Sequence, residues 1–286
     1  MHLSRMCPTV YAEKGATGAR LEKDVRDAGI EPREMRGTEP IALAGTRMLA
    51  WPDYLRFEEH LCALIEDERW PLDDAVAGGL VLLDQFAAGR EPGSADQQME
   101  LILDAIARRR PMIGLYRYIM AGLVTAIESE RGEKLTFAER RANIGRFFQI
   151  LFRSGSLRST TIRADVVLRR IPTIRWPKRD HPRLTPVRKL LTSHIRHKLL
   201  LQAPDVEFGY HLLIAAYAAL KFYARAVAAS LDRDSLHGED LQRGVEVAEL
   251  HLLLHRRGGT IERDMTRGIV KKFLFHPSYP SSMVTF

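Results

Sequence analysis

The chain has 286 residues, of which 45% are hydrophobic and 28% are charged, and its formal net charge is +7. This composition is that of a folded globular protein and excludes a chain that is disordered throughout. The two cysteines, Cys7 and Cys62, exclude a disulfide framework and a four-thiolate metal site. The N-terminus lacks the apolar core of a signal peptide, and Lys221 and Arg225 interrupt the longest apolar stretch. We therefore expect a cytoplasmic protein with no membrane partner.

The excess positive charge is concentrated in residues 151–200, which hold thirteen Lys or Arg and two acids, Asp165 and Asp180. The remainder of the chain holds 30 basic and 34 acidic residues. Such asymmetry predicts a basic surface that attracts a polyanion or an acidic protein face. Alternatively, these bases pair with acids elsewhere in the fold. The acids considered for this pairing are Glu66, Asp67, Glu68, Asp73 and Asp74.

The first half of the chain predicts loops followed by helices. Residues 1–50 are rich in Gly, Pro, Glu and Arg and indicate loops with one short helix near residues 20–28. Apolar residues then recur at helical spacing from Asp53, and Pro71 opens a second helix. Capping-box pairs start helices at Ser94 and Thr136, and another helix begins at Pro111. The core candidates of the first two helices are Tyr54, Phe57, Leu61, Leu64 and Ile65, then Ala75, Leu80, Leu83 and Phe86.

The second half has an irregular segment followed by more helices. Residues 154–183 contain three prolines and indicate a basic connector, in which residues 166–168 fit either a strand or a helix. Helices are expected at 186–201, at 205–231 with Asp205 as a start signal, at 239–256 and at 260–275. No alternating strand pattern of useful length is present.

We therefore predict an all-α, multi-helix, bundle-like domain with a basic irregular connector. Its parts are an irregular N-terminal segment (1–50), a helical block (51–153), the basic connector (154–183) and a C-terminal helical block (184–286).

The connector supplies the candidate binding residues for a polyanion or an acidic partner. Trp176 lies among basic residues, so it is either a stacking and cation–π group for that partner or a plug that fixes the connector to the core. The candidate binding residues are Arg163, Arg169, Arg170, Arg175, Trp176, Lys178, Arg179 and Arg183.

Few residues have the spacing of a metal site. His251 and His255 are four residues apart, so both point from the same helix face, as metal ligands often do. The residues around this pair do not complete the sequence motif of a zinc protease or that of a di-iron bundle. The alternative to a metal site is that the two histidines form a polar edge on a half-buried helix. The same alternatives hold for His194 and His197. Cys62 lies among leucines and is predicted to be a small buried apolar group.

Three segments resemble the flagellin lysine-N-methylase family, a group of bacterial proteins with a cysteine cluster. The opening Leu3-Ser4-Arg5-Met6-Cys7-Pro8 is similar to the Leu-Ser-x-Cys-Pro segment that closes the family's cysteine-rich region. Residues 61–86 are similar to the family's pair of helices around a short polar turn. Residues 184–196, the following long helix and the late His276-Pro277 resemble the family's C-terminal half.

This resemblance implies methyl transfer from S-adenosylmethionine to a protein lysine, such as one on flagellin. It also implies that Cys7 is the remnant of an iron–sulfur ligand set. The family's other cysteines are absent, so we expect no iron–sulfur cluster in this chain alone. The chain is then either the distal part of a longer protein or a relative that has lost the cluster.

Two classes of function follow from these observations. The first, which the resemblance implies, is a protein-lysine N-methyltransferase or a truncated or inactive relative of one. Methyl transfer needs a deprotonated amine on the substrate lysine, and hence a desolvated or carboxylate-assisted pocket. The carboxylates available by residue type are Glu58, Glu59, Asp73 and Asp74. The second class is a non-catalytic helical binding module that uses the basic residues 153–198 to hold an acidic protein or a nucleic acid.

Overall fold

The computed structural model describes residues 40–44, 46–90, 93, 97, 100–104, 113–129, 136–177 and 182–250. The helices expected at 20–28 and 260–275 lie outside the described residues. The described part is an all-α domain with two short β-hairpins, which confirms the predicted fold class. Its α-helices are α1 (Trp51–Glu66), α2 (Leu72–Ala87), α3 (Ile113–Glu128), α4 (Phe137–Phe152), α5 (Thr185–Arg196), α6 (Val206–Ser230) and α7 (Gly238–Ala248). Its strands are β1 (Ile41–Ala44), β2 (Arg47–Leu49), β3 (Ser156–Ser159) and β4 (Ala164–Val167), and 3-10 turns span Leu168–Thr173, Pro182–Leu184 and Leu199–Gln202.

The local signals that start the helices work as the sequence predicts. Thr136 and Glu139 form the capping box of α4: the Thr136 hydroxyl accepts from the Glu139 amide, and the Glu139 carboxylate accepts from the Thr136 amide. The Asp205 side chain caps α6 by accepting a 2.7 Å hydrogen bond from the amide of Phe208. All nine core candidates of α1 and α2 are buried.

Helix α6 is the centre of the fold. It packs against α2, α3, α7, β1, β4 and the 3-10 turn that follows β4. A helix surrounded in this way is apolar on nearly every side. Within the described part of the chain, α6 alone has the length and apolar composition to cross a membrane. However, 89% of its most apolar stretch is buried inside the fold.

Two glycines allow other chain segments to approach their helices closely. A Cβ at Gly79 of α2 would lie 2.0 Å from the Tyr210 hydroxyl, which donates to the carbonyl of Val76. A Cβ at Gly244 of α7 would lie 2.7 Å from the carbonyl oxygen of Leu220 on α6. These close approaches fix how α2 and α7 lie on the central helix.

The two hairpins are the main difference from the predicted secondary structure. Strands β1 and β2 pair antiparallel within the segment that was expected to form loops and a helix. Strands β3 and β4 pair antiparallel within the expected irregular connector, so residues 166 and 167 are strand. Each strand has three or four residues, which is too short for an alternating pattern to stand out in the sequence.

Candidate functional site: the arginine hairpin

The hairpin β3–β4 carries the exposed part of the basic segment. Its inner face is formed by Leu157, Ser159 and Val166, which are buried, whereas Arg158 and Asp165 lie opposite each other on its outer face. Arg163 ends the turn between the strands and is exposed, with a left-handed backbone φ of 55°. The hairpin therefore presents arginines to solvent above an apolar base.

The buried carboxylate of Glu128 fixes the hairpin turn to the end of α3. It accepts hydrogen bonds from the Ser159 hydroxyl at 2.6 Å, from the Thr160 amide at 2.8 Å and from the Tyr223 hydroxyl of α6 at 2.9 Å. Burial raises the pKa of Glu128, but these donors outweigh it and hold the pKa below the ordinary value. Arg243 of α7 adds a 3.0 Å hydrogen bond to the carbonyl of Thr161. Three helices thus hold the turn in place.

Several bases of the segment form ion pairs with acids of the same chain. Arg196 pairs with Glu66 at 2.6 Å, Lys198 pairs with Glu58, and Arg170 pairs with Asp232 and Asp234. This confirms, for Glu66, the alternative that the bases pair with acids elsewhere in the fold.

Two further arginines are held by backbone carbonyls. Arg188 is buried and donates to the carbonyls of Ile65, Asp67 and Trp70, where α1 ends, and Arg183 donates to the carbonyl of Leu236.

The remaining predicted binding residues that the structure describes are exposed. Arg163, Arg169 and Arg175 are solvent-exposed, as is Arg158, which the sequence analysis did not select. No ion pair joins these four side chains to another described residue. Lys178 and Arg179 lie outside the described residues. The basic segment therefore divides into bases that bind other groups of the chain and an exposed set on or beside the hairpin. We call Arg158, Arg163 and Arg169 of the exposed set the hairpin arginines.

Trp176 is placed against the core, as one of its two predicted roles requires. Its ring meets Tyr217 edge-to-face at 6.2 Å, and the Lys221 ammonium lies 5.2 Å from its centroid. Lys221 is buried and pairs with Asp73 at 2.8 Å, and Tyr217 donates to the same carboxylate at 2.6 Å. Trp176 thus covers a buried ion pair and is only half-exposed to a partner.

A small cleft lined mostly by apolar side chains lies at the base of the hairpin. It is partly open to solvent, and two arginines, Arg117 and Arg153, line it together with Tyr116, Met120, Ile150, Leu168, Ile171 and Phe222. Burial, together with the neighbouring charges of Arg117 and Arg225, lowers the pKa of Arg153 to about 10. Arg117 and Arg153 add positive charge next to the hairpin arginines.

The four carboxylates considered for methyl transfer have different surroundings. Glu58 is buried against Lys198, and burial raises its pKa although the ammonium opposes that rise. Asp73 is bound by Lys221 and Tyr217. Glu59 is exposed, and Asp74 is half-buried on α2. The two most enclosed carboxylates are therefore each engaged by a lysine of the chain itself.

The described residues do not fit an iron–sulfur cluster or another metal. Cys62 is buried among apolar side chains, as predicted, and burial raises the pKa of its thiol to about 12. Among the described residues, no group of three or more His, Cys, Asp or Glu could hold a metal ion. Cys7, His251 and His255 lie outside the described residues.

His194 and His197 do not form a shared polar edge, which corrects that alternative. His194 is buried on α5, whereas His197 is exposed at the C-terminal end of the helix and contacts the Ser193 carbonyl at 2.6 Å. They are three positions apart, and one side chain turns to the core and the other to solvent.

Sequence reasoning missed the residues that position the site. Glu128 and Tyr223 lie 31 or more residues from the turn that they hold, so no local pattern connects them to it. The isolated buried acid at the end of an apolar helix was the available signal, because such a group needs hydrogen-bond donors.

Comparisons with protein-family models, curated proteins and solved structures found no match. The function proposed below rests on the contacts of this chain.

Proposed function

We propose that the chain is a non-catalytic helical binding module that holds an anionic macromolecule on its hairpin arginines. The observation that supports this is the exposure of Arg158, Arg163 and Arg169 without an ion pair to another described residue, on or beside a hairpin whose turn Glu128 anchors. Guanidinium groups bind phosphate and carboxylate oxygens in a bidentate manner. A phosphate backbone and an acidic protein segment share this chemistry.

The anchoring of the turn favours binding over a merely solvated charged surface. Three hydrogen-bonded helices hold the backbone from which the arginines project. A partner then has to order only the arginine side chains, so less conformational entropy is lost on binding. The adjacent cleft, lined by Arg117 and Arg153, extends the positive potential of this face.

The experiment measures binding of a labelled oligonucleotide duplex by fluorescence anisotropy over a series of salt concentrations. We expect the logarithm of the binding constant to fall with the logarithm of the salt concentration, with a slope of about −0.9 for each phosphate contacted. Arg163→Gln should weaken binding and reduce the slope by about one contact. Arg196→Gln is the matched control, because its guanidinium already pairs with Glu66.

Polyglutamate of similar length replaces the oligonucleotide in a second titration. Selective binding of polyglutamate would identify an acidic protein segment as the partner class, and selective binding of the duplex would identify a nucleic acid. Absence of binding to both, or equal losses in the Arg163 and Arg196 variants, would overturn the proposal.

Methyl transfer to a protein lysine stays a prediction from the resemblance. No contact among the described residues supports it beyond the presence of enclosed carboxylates, and those of Glu58 and Asp73 are engaged by lysines. Incubation of flagellin with the protein and S-adenosylmethionine, followed by intact-mass analysis, tests it. Methyl-sized mass increments that depend on the protein would support the enzyme, and an unchanged mass would contradict it.

A further inference from the structure

Helix α4 is apolar on two opposite faces. Ile150 is buried and Phe147 is half-buried on the face that packs on the domain. On the opposite face, four large apolar side chains project into solvent at spacings of seven, four and four residues, which places them in one row. They are Phe137, Ile144, Phe148 and Phe152, with 84%, 60%, 49% and 69% exposure. We call this row the aromatic ridge.

Ring contacts extend the aromatic ridge onto the neighbouring helix. Phe148 and Phe152 stack with centroids 6.1 Å apart, and Phe147 meets Phe148 edge-to-face at 5.5 Å. Tyr118 of α3, itself exposed, meets Phe147 edge-to-face at 5.2 Å. Scattered exposed apolar residues need no explanation, but a contiguous row of this kind marks an interaction surface.

The exposed charges beside the aromatic ridge are positive in the part of the chain that the structure describes. Arg140 and Arg141 are exposed on α4, and Arg117 is exposed on α3 next to Tyr118. The one acid of α4, Glu139, accepts hydrogen bonds from the Thr136 amide and hydroxyl at 2.8 Å. Among the described residues, the surface therefore combines protruding rings with exposed guanidinium groups that no ion pair engages, and it suits an anionic, apolar partner.

The ridge shape and the positive charge of this surface indicate which of three classes of partner fits it: a second copy of the chain, a partner helix or a lipid bilayer. A second copy would bring two rows of arginines together, which is unfavourable. A partner helix inserts its apolar face into a groove, whereas these side chains project from one helix as a ridge. A lipid bilayer accepts protruding rings at the level of its headgroups and attracts arginines to anionic lipids.

We infer that the aromatic ridge docks the protein on an anionic membrane surface. The rings of Phe148 and Phe152 enter the interface, and Arg140 and Arg141 contact lipid phosphates. The association is peripheral and needs no membrane-spanning segment. It replaces the expectation of no membrane partner, and it is independent of the function proposed for the hairpin.

The test is co-sedimentation of the full chain with vesicles of equal parts phosphatidylserine and phosphatidylcholine, compared with vesicles of phosphatidylcholine alone. We expect binding to the anionic vesicles and much weaker binding to the neutral ones. Phe148→Ser combined with Phe152→Ser should reduce the partition coefficient by about tenfold or more, because both rings leave the interface. Arg140→Gln combined with Arg141→Gln should reduce binding to anionic vesicles alone.

Leu231→Ser is the matched control, because Leu231 is a similarly exposed apolar residue at the end of α6. Circular dichroism checks that each variant is folded. Absence of binding to anionic vesicles, or unchanged binding of the double phenylalanine variant, would overturn the inference. Dissociation of a dimer in that variant, measured by light scattering, would also overturn it by assigning the ridge to self-association. Arg163→Gln separates the two proposals, because it should weaken oligonucleotide binding. In the Arg163→Gln background, the substitutions of Phe148 and Phe152 should still reduce vesicle binding by the same factor.

Discussion

At the scale of single residues, Lys221 shows how a buried charge is stabilised by its partners. The Lys221 ammonium is enclosed by Trp176 and Tyr217, and the carboxylate of Asp73 supplies the negative charge that pairs with it. Burial lowers the pKa of Lys221, although the carboxylate of Asp73 opposes that change. A charge placed in this way is costly unless its partner stays in place.

We predict that Asp73→Asn destabilises the protein by about 3 kcal/mol, because it leaves the buried ammonium of Lys221 without its counter-charge. The free energy of unfolding, measured by urea denaturation, checks this. The double variant Asp73→Asn with Lys221→Met should recover much of the loss, because the buried charge is then removed as well. A single variant as stable as the unmodified chain would contradict the account of this ion pair.

We also predict that Cys62 does not react with thiol reagents in the native protein. Its side chain is buried, and burial raises the pKa of the thiol to about 12, so little thiolate is present at neutral pH. Labelling is measured by mass spectrometry in a Cys7→Ser background, so that the other thiol does not contribute. Rapid labelling without denaturant would show that this part of α1 opens.

At the scale of elements, the hairpin depends on a carboxylate from another helix. We predict that Glu128→Gln loosens the β3–β4 turn, because the neutral amide cannot accept all the hydrogen bonds that the carboxylate accepts. The expected loss is about 1–3 kcal/mol at neutral pH, the cost of buried polar groups left without a partner. Hydrogen exchange of the amides in the turn provides a direct measurement.

The pH dependence of this contribution has a definite sign. The folded pKa of Glu128 is lowered, so its stabilisation is present above the ordinary value of 4.5 and is lost as pH falls through the lower folded value. The difference in stability between the native chain and the Glu128→Gln variant should therefore shrink in acid. If the difference in stability between the native chain and the variant instead grew as the pH fell below 4.5, the assignment of Glu128 as an ionised anchor would be contradicted.

Local sequence signals predicted the helices but not the contacts between distant elements. The capping box of Thr136 and the cap of Asp205 are encoded within four residues, and the sequence analysis identified both. The bonds of Glu128 join elements more than thirty residues apart, so no periodicity indicates them. Periodicity also cannot tell which of two apolar faces packs inward, and for that reason the exposure of Phe148 was not foreseen.

At the scale of the whole molecule, two different surfaces carry positive charge, and only one of them also presents a row of apolar side chains. Acids elsewhere in the chain pair with several bases of the basic segment, as Glu66 does with Arg196, and leave the hairpin arginines exposed. The aromatic ridge lies on α4, which leads directly into β3. The same protein therefore carries one surface that binds by charge and another that combines charge with apolar insertion.

This difference between the two surfaces predicts different salt dependences for the two ligands of one protein sample. If three hairpin arginines each contact a phosphate, raising the salt from about 50 to about 200 mM should weaken duplex binding by about fortyfold. Vesicle binding should fall less, because salt screens the arginines but does not weaken burial of the phenylalanine rings. The Phe148→Ser, Phe152→Ser variant should lose this salt-resistant part, so its vesicle binding should fall more steeply with salt than that of the unmodified chain. Parallel salt curves for both ligands in the unmodified chain would show that the ridge contributes nothing beyond charge.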